Sequence, residues 1–216
     1  MERTITITGT GSVSVKPDLV RLSIILETTD IDYQMTMDTA NEQIENLRAA
    51  FAAIGFEKEE LKTTDFNVRQ NTEYDHEKRI HVFNGYTCNH SLCLEFDFDV
   101  ELLGRAISAM SDSGANPRFT VSFTIKDEEK TKEDLLADAV SDAMKKADIL
   151  TSSAKVNLGQ LLAINYSWGE LHLFSDTSYE CCEYHSSELG RFNTFGDISP
   201  GDIKVQDTVT LVWEIT

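Results

Sequence analysis

Hydrophobic and polar positions alternate through much of the chain. Ile5 and Ile7, then Val13 and Val15, then Val20, Leu22, Ile24 and Leu26 stand two apart, with Arg21, Ser23 and Glu27 between the last set. A step of two puts successive side chains on opposite faces of an extended backbone, so these segments predict strands with one buried face. Gly9-Thr10-Gly11 and Lys16-Pro17-Asp18 punctuate them, the glycines by admitting positive φ and the proline by removing a ladder donor. The period then lengthens. Tyr33, Met37, Ala40, Ile44, Leu47, Phe51 and Ile54 recur at alternating steps of four and three, which is the apolar stripe of a helix. Asp30 is expected to cap it and Gly55 to end it.

Further along, Thr64, Phe66 and Val68 predict a strand, the polar residues 71–78 a hairpin loop, and Tyr86, Cys88, Leu92, Leu94 and Phe96 a long returning strand with a bulge at Asn84-Gly85. A short helix follows, capped by Asp99, with Leu103, Ile107 and Met110 inward and Gly114 near its end. Phe119, Val121, Phe123 and Ile125 alternate with Thr120, Ser122 and Thr124 as another half-buried strand. A third helix is expected from near Thr131, whose spacing to Asp134 resembles a capping box, with Leu136, Val140, Ala143, Ala147 and Leu150 on one stripe. Leu162, Ile164, Tyr166 and Trp168 predict the next strand, and Val209, Leu211, Trp213 and Ile215 the last. Residues 169–200 show no period and read as one long irregular loop.

The order strand, helix, strand, strand occurs twice, over 18–97 and 118–216, with a helix at 100–113 between. Each helix has one apolar stripe and most strands one apolar face. The expected fold is therefore α+β: two related β-α-β-β units within a single domain spanning 1–216, helices layered on one face of mainly antiparallel sheet.

Composition adds to this picture mainly by exclusion. A chain of 216 residues with 41% apolar and 26% charged side chains is expected to fold compactly. Its 37 acidic against 19 basic groups leave a net charge of −18, which repels phosphate backbones, so nucleic acid is not an expected partner. Lys145-Lys146, the densest basic run, reads as a solvated helix face. No apolar run has membrane-spanning length. Taken from Met1, the start lacks the features of a signal peptide, so a cytoplasmic protein is expected. Reduced thiols fit that compartment: Cys88 and Cys93 lie in one predicted strand roughly 16 Å apart by strand rise, too far to bridge, and Cys181 and Cys182 are adjacent.

Candidate chemistry is sparse. Glu95, Asp97 and Asp99 alternate at a strand end and offer carboxylates to a hard cation, the basis of an alternative reading as a metal-assisted hydrolase. Neither a metal-loop spacing nor a glycine turn accompanies them, and a solvated strand face followed by an N-cap is the preferred reading. Cys181, Cys182 and His185 offer soft ligands but no fourth donor, leaving a surface loop or a redox-sensitive thiol pair. His76, His81, His90, His172 and His185 show no paired metal spacing. Gly9-Thr10-Gly11 precedes a strand rather than a helix and so lacks the amide cluster that cradles phosphate. Trp168, Leu171, Leu173 and Phe174 form an apolar group that reads either as core or as an oligomer contact. No catalytic, cofactor-binding or metal residue is assigned.

Several segments, in order and spacing, resemble the SIMPL-domain family: I-T-G-T-G-S-V-S-V-K-P-D from Ile7 to Asp18, Phe83-Asn84-Gly85-Tyr86, the Ser113-Gly114-Ala115 turn, A-D-A-V-S-D-A-M-K-K-A from Ala137 to Ala147, and Pro200-Gly201-Asp202-Ile203. That family includes bacterial periplasmic immunogenic and oxidative-stress-defence proteins and a eukaryotic protein that binds a pelle-like kinase. The resemblance covers nearly the whole chain. It implies a non-enzymatic α+β domain that assembles into large oligomers, with a stress-related role and no cofactor. A kinase-interaction adaptor is the second implied reading, and an unidentified protein partner a third element of the expectation.

Overall fold

The computed structural model describes residues 3–76, 78–167, 169, 171–181 and 198–216. Among them eight strands and three helices follow one another as β1 Thr4–Val15, β2 Leu19–Asp30, α1 Tyr33–Ala53, β3 Lys62–Asp75, β4 Ile80–Asp97, α2 Val100–Asp112, β5 Arg118–Thr124, α3 Glu128–Ala154, β6 Leu158–Asn165, β7 Phe174–Cys181 and β8 Ile203–Ile215. The α+β class expected from the hydrophobic periods is the class observed, with its strands in two antiparallel sheets. Two compact units form: a terminal unit of Met1–Pro17, Thr124–Asp176 and Pro200–Thr216, and a central unit of Asp18–Phe123 and Thr177–Ser199. Among the described residues, no helix is long and apolar enough to cross a membrane.

The central unit is built on a sheet of order β3-β4-β2-β5-β7. Val20, Leu22, Ile24 and Leu26 of β2 share one face with Leu92, Leu94 and Phe96 of β4 and with Phe119, Val121 and Phe123 of β5. Ile44, Leu47 and Phe51 of α1 and Leu103, Ile107 and Met110 of α2 close over that face. Burial of so many large side chains at about 25 cal/mol per Å² is the main stabilising term here. The cap of α1 is Asp32, which accepts from the Met35 amide at 3.0 Å, and not Asp30. Asp30 is still paired with Tyr86 in the sheet, so the ladder holds it extended and the helix starts later. Gly55 does end α1, at φ 106°, and Asp99 does cap α2, accepting from the Glu101 and Leu102 amides.

The loop expected over 71–78 is strand as far as Asp75. The β3–β4 ladder runs on from Thr72↔Phe83 to Asp75↔Ile80, past a register shift at Gln70/Thr72 that corresponds to the predicted bulge. Gly85 sits there at φ 93°, and a Cβ on it would stand 2.5 Å from the Asp30 carbonyl oxygen, so only glycine fits. The predicted irregular loop also contains a strand, β7, at one edge of this sheet. Residues 182–197, within that segment, lie outside the described residues, as does Trp168.

The terminal unit is a sheet of order β1-β8-β6 with α3 laid on it. β1 and β8 pair antiparallel over their full length, from Thr4↔Glu214 to Val15↔Ile203. α3 starts at Glu128, ahead of the expected position, because Asp127 is its cap and accepts from the Lys130 amide at 2.9 Å. Thr131 is buried in the first turn, its hydroxyl donating to the Asp127 carbonyl at 3.0 Å. The buried row is Thr131, Leu135, Ala139, Ala143, Ala147 and Thr151, a strict step of four, and not the predicted stripe through Leu136 and Leu150. Such a row is inclined to the helix axis by roughly 26°, so α3 crosses β1 obliquely on its smallest side chains.

Candidate assembly surfaces

Two segments far apart in the sequence turn out to be halves of one device. Gly9 and Gly11 lie under α3, where a Cβ on Gly9 would stand 2.1 Å from the Ala139 carbonyl oxygen and one on Gly11 2.1 Å from that of Leu135. Glycine on the strand and alanine on the helix are what let two backbones approach this closely. The same approach brings the next row of α3 outside the edge of β1. In β1 the odd-numbered main-chain groups face β8, as the Ile215 amide donating to the Arg3 carbonyl shows, so the even-numbered groups point off the sheet. Asp138 accepts from the Ser12 amide at 3.0 Å, Asp142 from the Thr10 amide at 2.8 Å, and Lys146 donates to the Thr8 carbonyl at 3.3 Å. A row of helix side chains thus satisfies the groups that a neighbouring strand would have used, and blunts the edge. Lys146 and the Thr10 amide together hold the Asp142 carboxyl below its usual range. Lys146 is exposed, as expected of a solvated basic face, and is also a member of this ladder.

The ladder stops at Leu150, the next residue of the row. It has no polar group to offer Thr6, and Ile149 beside it is also exposed. Between them and β1 lies a groove of about 380 Å³ lined by Thr6, Ile7, Thr8, Lys146, Ile149 and Leu150. At the opposite edge of the sheet, β6 has no such cover among the described residues. α3 lies on β1 and β8 and barely reaches β6. Leu161, opposite Trp213, and Ile164, opposite Leu211, are therefore on the helix side of the sheet yet 46% and 60% exposed, and Leu162 is 50% exposed. The predicted strand through Tyr166 ends at Asn165, and the Tyr166 hydroxyl instead donates to Asp207 at 2.7 Å, which pushes its titration upward.

In the central unit part of the exposed apolar surface lies on a two-stranded arm. β2 pairs with β4 only from Tyr86 to Asp97, whereas β3 and β4 stay paired from Thr72↔Phe83 outward. Tyr74, Ile80, Val82 and Phe83 are exposed on this ribbon. Edge-on ring contacts of Tyr74 with His76 and His81, and of Phe83 with Tyr86, hold its rungs together.

The residues considered for chemistry scatter. Glu95 is held by Arg21 at 2.6 Å across the β2–β4 pair, Asp99 is consumed as the α2 cap, and Asp97 stands at the strand end opposite Leu19. Among the described residues no group of three His, Cys, Asp or Glu side chains is placed to hold a metal ion. The side chains of Cys181, Cys182 and His185 lie outside the described residues. Leu173 is buried with Ile125, Leu135, Ile203 and Val205, and Leu171 packs against them, so this part of the apolar group is core. Cys88 and Cys93 are free thiols, both pushed up by burial, Cys93 further by Glu95.

His90 was missed as a core residue because it interrupts the apolar alternation of β4. It is buried between β3 and α1, with Nε2 2.9 Å from the Thr63 hydroxyl and its ring edge-on to Phe66. Burial, and then the Arg48 charge, push its titration down. The signal available in the sequence was parity: His90 is in step with Cys88 and Leu92.

No curated protein matches this chain. The family model that does match is SIMPL, described as a protein of unknown function (DUF541), and it covers residues 5–213. The glycine strand and the alanine ridge that carried the resemblance are in direct contact in the fold, and with a match over nearly its whole length the chain belongs to the SIMPL family.

Proposed function

We propose that this protein is a self-assembling binding or scaffold protein that acts without catalysis, with a second copy of itself as its first partner. The observation that carries the reading is the β3–β4 arm. A two-stranded ribbon is at best marginally stable alone in water, yet this one continues past its third strand while exposing Tyr74, Ile80, Val82 and Phe83. Exposed apolar surface gathered on an extended ribbon is the form of an association surface. The uncharged, half-exposed β6 edge supports the same reading. A non-catalytic role is supported by the engagement of Glu95 with Arg21 and of Asp99 at the α2 cap, which leaves the acidic segment occupied by structural work. The stress-related role implied by the family resemblance rests on that resemblance alone.

Light scattering after size exclusion tests this directly. A particle of several 24.3 kDa subunits at micromolar concentration is expected, whereas a clean monomer under those conditions sinks the reading.

A further inference from the structure

We infer that β6 of one copy adds to the open stretch of β1, residues 4–7, of another, extending the three-stranded sheet from molecule to molecule. This rests on the self-assembly proposed above and names the surfaces that would perform it.

The argument is one of offset. α3 is displaced toward one edge of its sheet: its row Asp138, Asp142, Lys146, Leu150 stands outside β1, while β6 at the other edge is left bare on the same face. A strand laid against β1 would therefore lie beneath an overhanging helix. A β6 strand is one whose helix-side residues, Leu161 and Ile164, lack a helix. Each copy carries the cover that the next one needs. The ladder also leaves the right place open: it occupies Ser12, Thr10 and the Thr8 carbonyl and ends at Leu150, so among the described residues nothing in it takes up the outward main-chain groups of Thr4 and Thr6, which strand pairing would use. Leu161 and Ile164 would then enter the groove of Ile7, Ile149 and Leu150, the last two being 65% and 50% exposed.

Charge selects the same occupant. Copies with a net charge of −18 repel one another, so contact is favoured only where charge is absent. Thr4–Thr8 and Leu158–Asn165 contain no charged residue. The contact is heterologous, using different surfaces on the two partners, so each added copy presents a fresh β6 or a fresh β1 and growth passes beyond a dimer.

The test uses the full chain and two charge variants. Leu150→Glu places an acid in the groove and Ile164→Lys a base on the strand that fills it. Alone, each is expected to weaken this contact on the order of a hundredfold, because a charge would be buried against apolar side chains, and each should run well below the wild-type mass by light scattering. Mixed in equal amounts they should regain the wild-type mass, since alternating copies then meet Glu with Lys and native edge with native edge. Circular dichroism melts matching the wild type show that both variants fold; if either melts early, Ile149→Glu and Leu161→Lys repeat the test at neighbouring positions. A wild-type mass retained by either single variant, or the lowered mass persisting in the mixture, overturns the β1–β6 contact while leaving self-assembly standing. A monomeric wild-type protein removes both.

Discussion

The two long helices solve the same packing problem in opposite ways. α1 covers its sheet with Leu47 and Phe51 set among Leu22, Ile24, Leu92 and Leu94, large side chains that fill the space between two backbones. α3 covers β1 by removing that space, with alanines seated on glycines and main chains nearly touching. The first arrangement draws its stability from buried area and can adjust rotamers when disturbed. The second allows little adjustment, because its contacts are backbone to backbone, and it gains what the first lacks: helix side chains that reach past the strand to its edge.

The contrast can be broken most violently at Gly9. Gly9→Val puts a branched side chain where even a Cβ would be 2.1 Å from the Ala139 carbonyl oxygen, so α3 must lift and the Asp142 and Lys146 contacts go with it. A loss of about 4 kcal/mol or more is expected in a denaturant titration; a loss under about 1 kcal/mol would mean that α3 is not seated as described. Phe51→Ala, in the other kind of interface, should cost about 3 to 4 kcal/mol through a cavity that the neighbouring side chains partly refill. An unchanged midpoint there would contradict its burial.

A smaller effect should appear with pH. Burial depresses His90 below its ordinary value of 6.5, so the unfolded chain takes up the proton first. The stability linked to neutral His90 is fully present above the unfolded value and is lost as pH falls from there through the depressed folded value. His90→Gln should flatten the stability profile on the acid side of pH 6.5, and a profile unaltered by the substitution would show that another group is responsible. The smallest change has the opposite sign. Gly104 lies within α2, and among the described residues nothing outside the helix's own backbone stands inside 4 Å of the place an added methyl would take, so Gly104→Ala should raise stability by about 0.5 to 1 kcal/mol. Destabilisation would reveal a neighbour that the fold does not show.

Much of this fold was legible from period alone. Alternation located β2, β5 and β8, the four-and-three step located α1, and the glycine and proline punctuation marked their ends, because each of these signals is local. What was not legible depends on partners distant in sequence. The outer part of β3 read as a loop because a ribbon exposed on both faces has no buried period. The start of α3 was misplaced because Thr131 resembles a cap, although it is a buried residue of the first turn. Gly9, Gly11 and the alanines of α3 were each noticed, yet nothing in either segment says that they meet. The candidate surfaces were only half legible. Ile164 was assigned to a strand, but its exposure follows from how far α3 extends over the sheet, which no local pattern records.

The pairing of β1 with β8 sets a schedule for synthesis. β1 is made before its partners, and must wait for Asp138, Asp142 and Lys146, and then for the 13 residues of β8, before these contacts can form. Strands β2 to β5, with α1 and α2, are complete by Thr124 and need no such delay. Contacts this remote close slowly, so a chain halted at Thr124 would hold β2 to β5 with α1 and α2 but still lack β7, and its β1 would be without either α3 or β8.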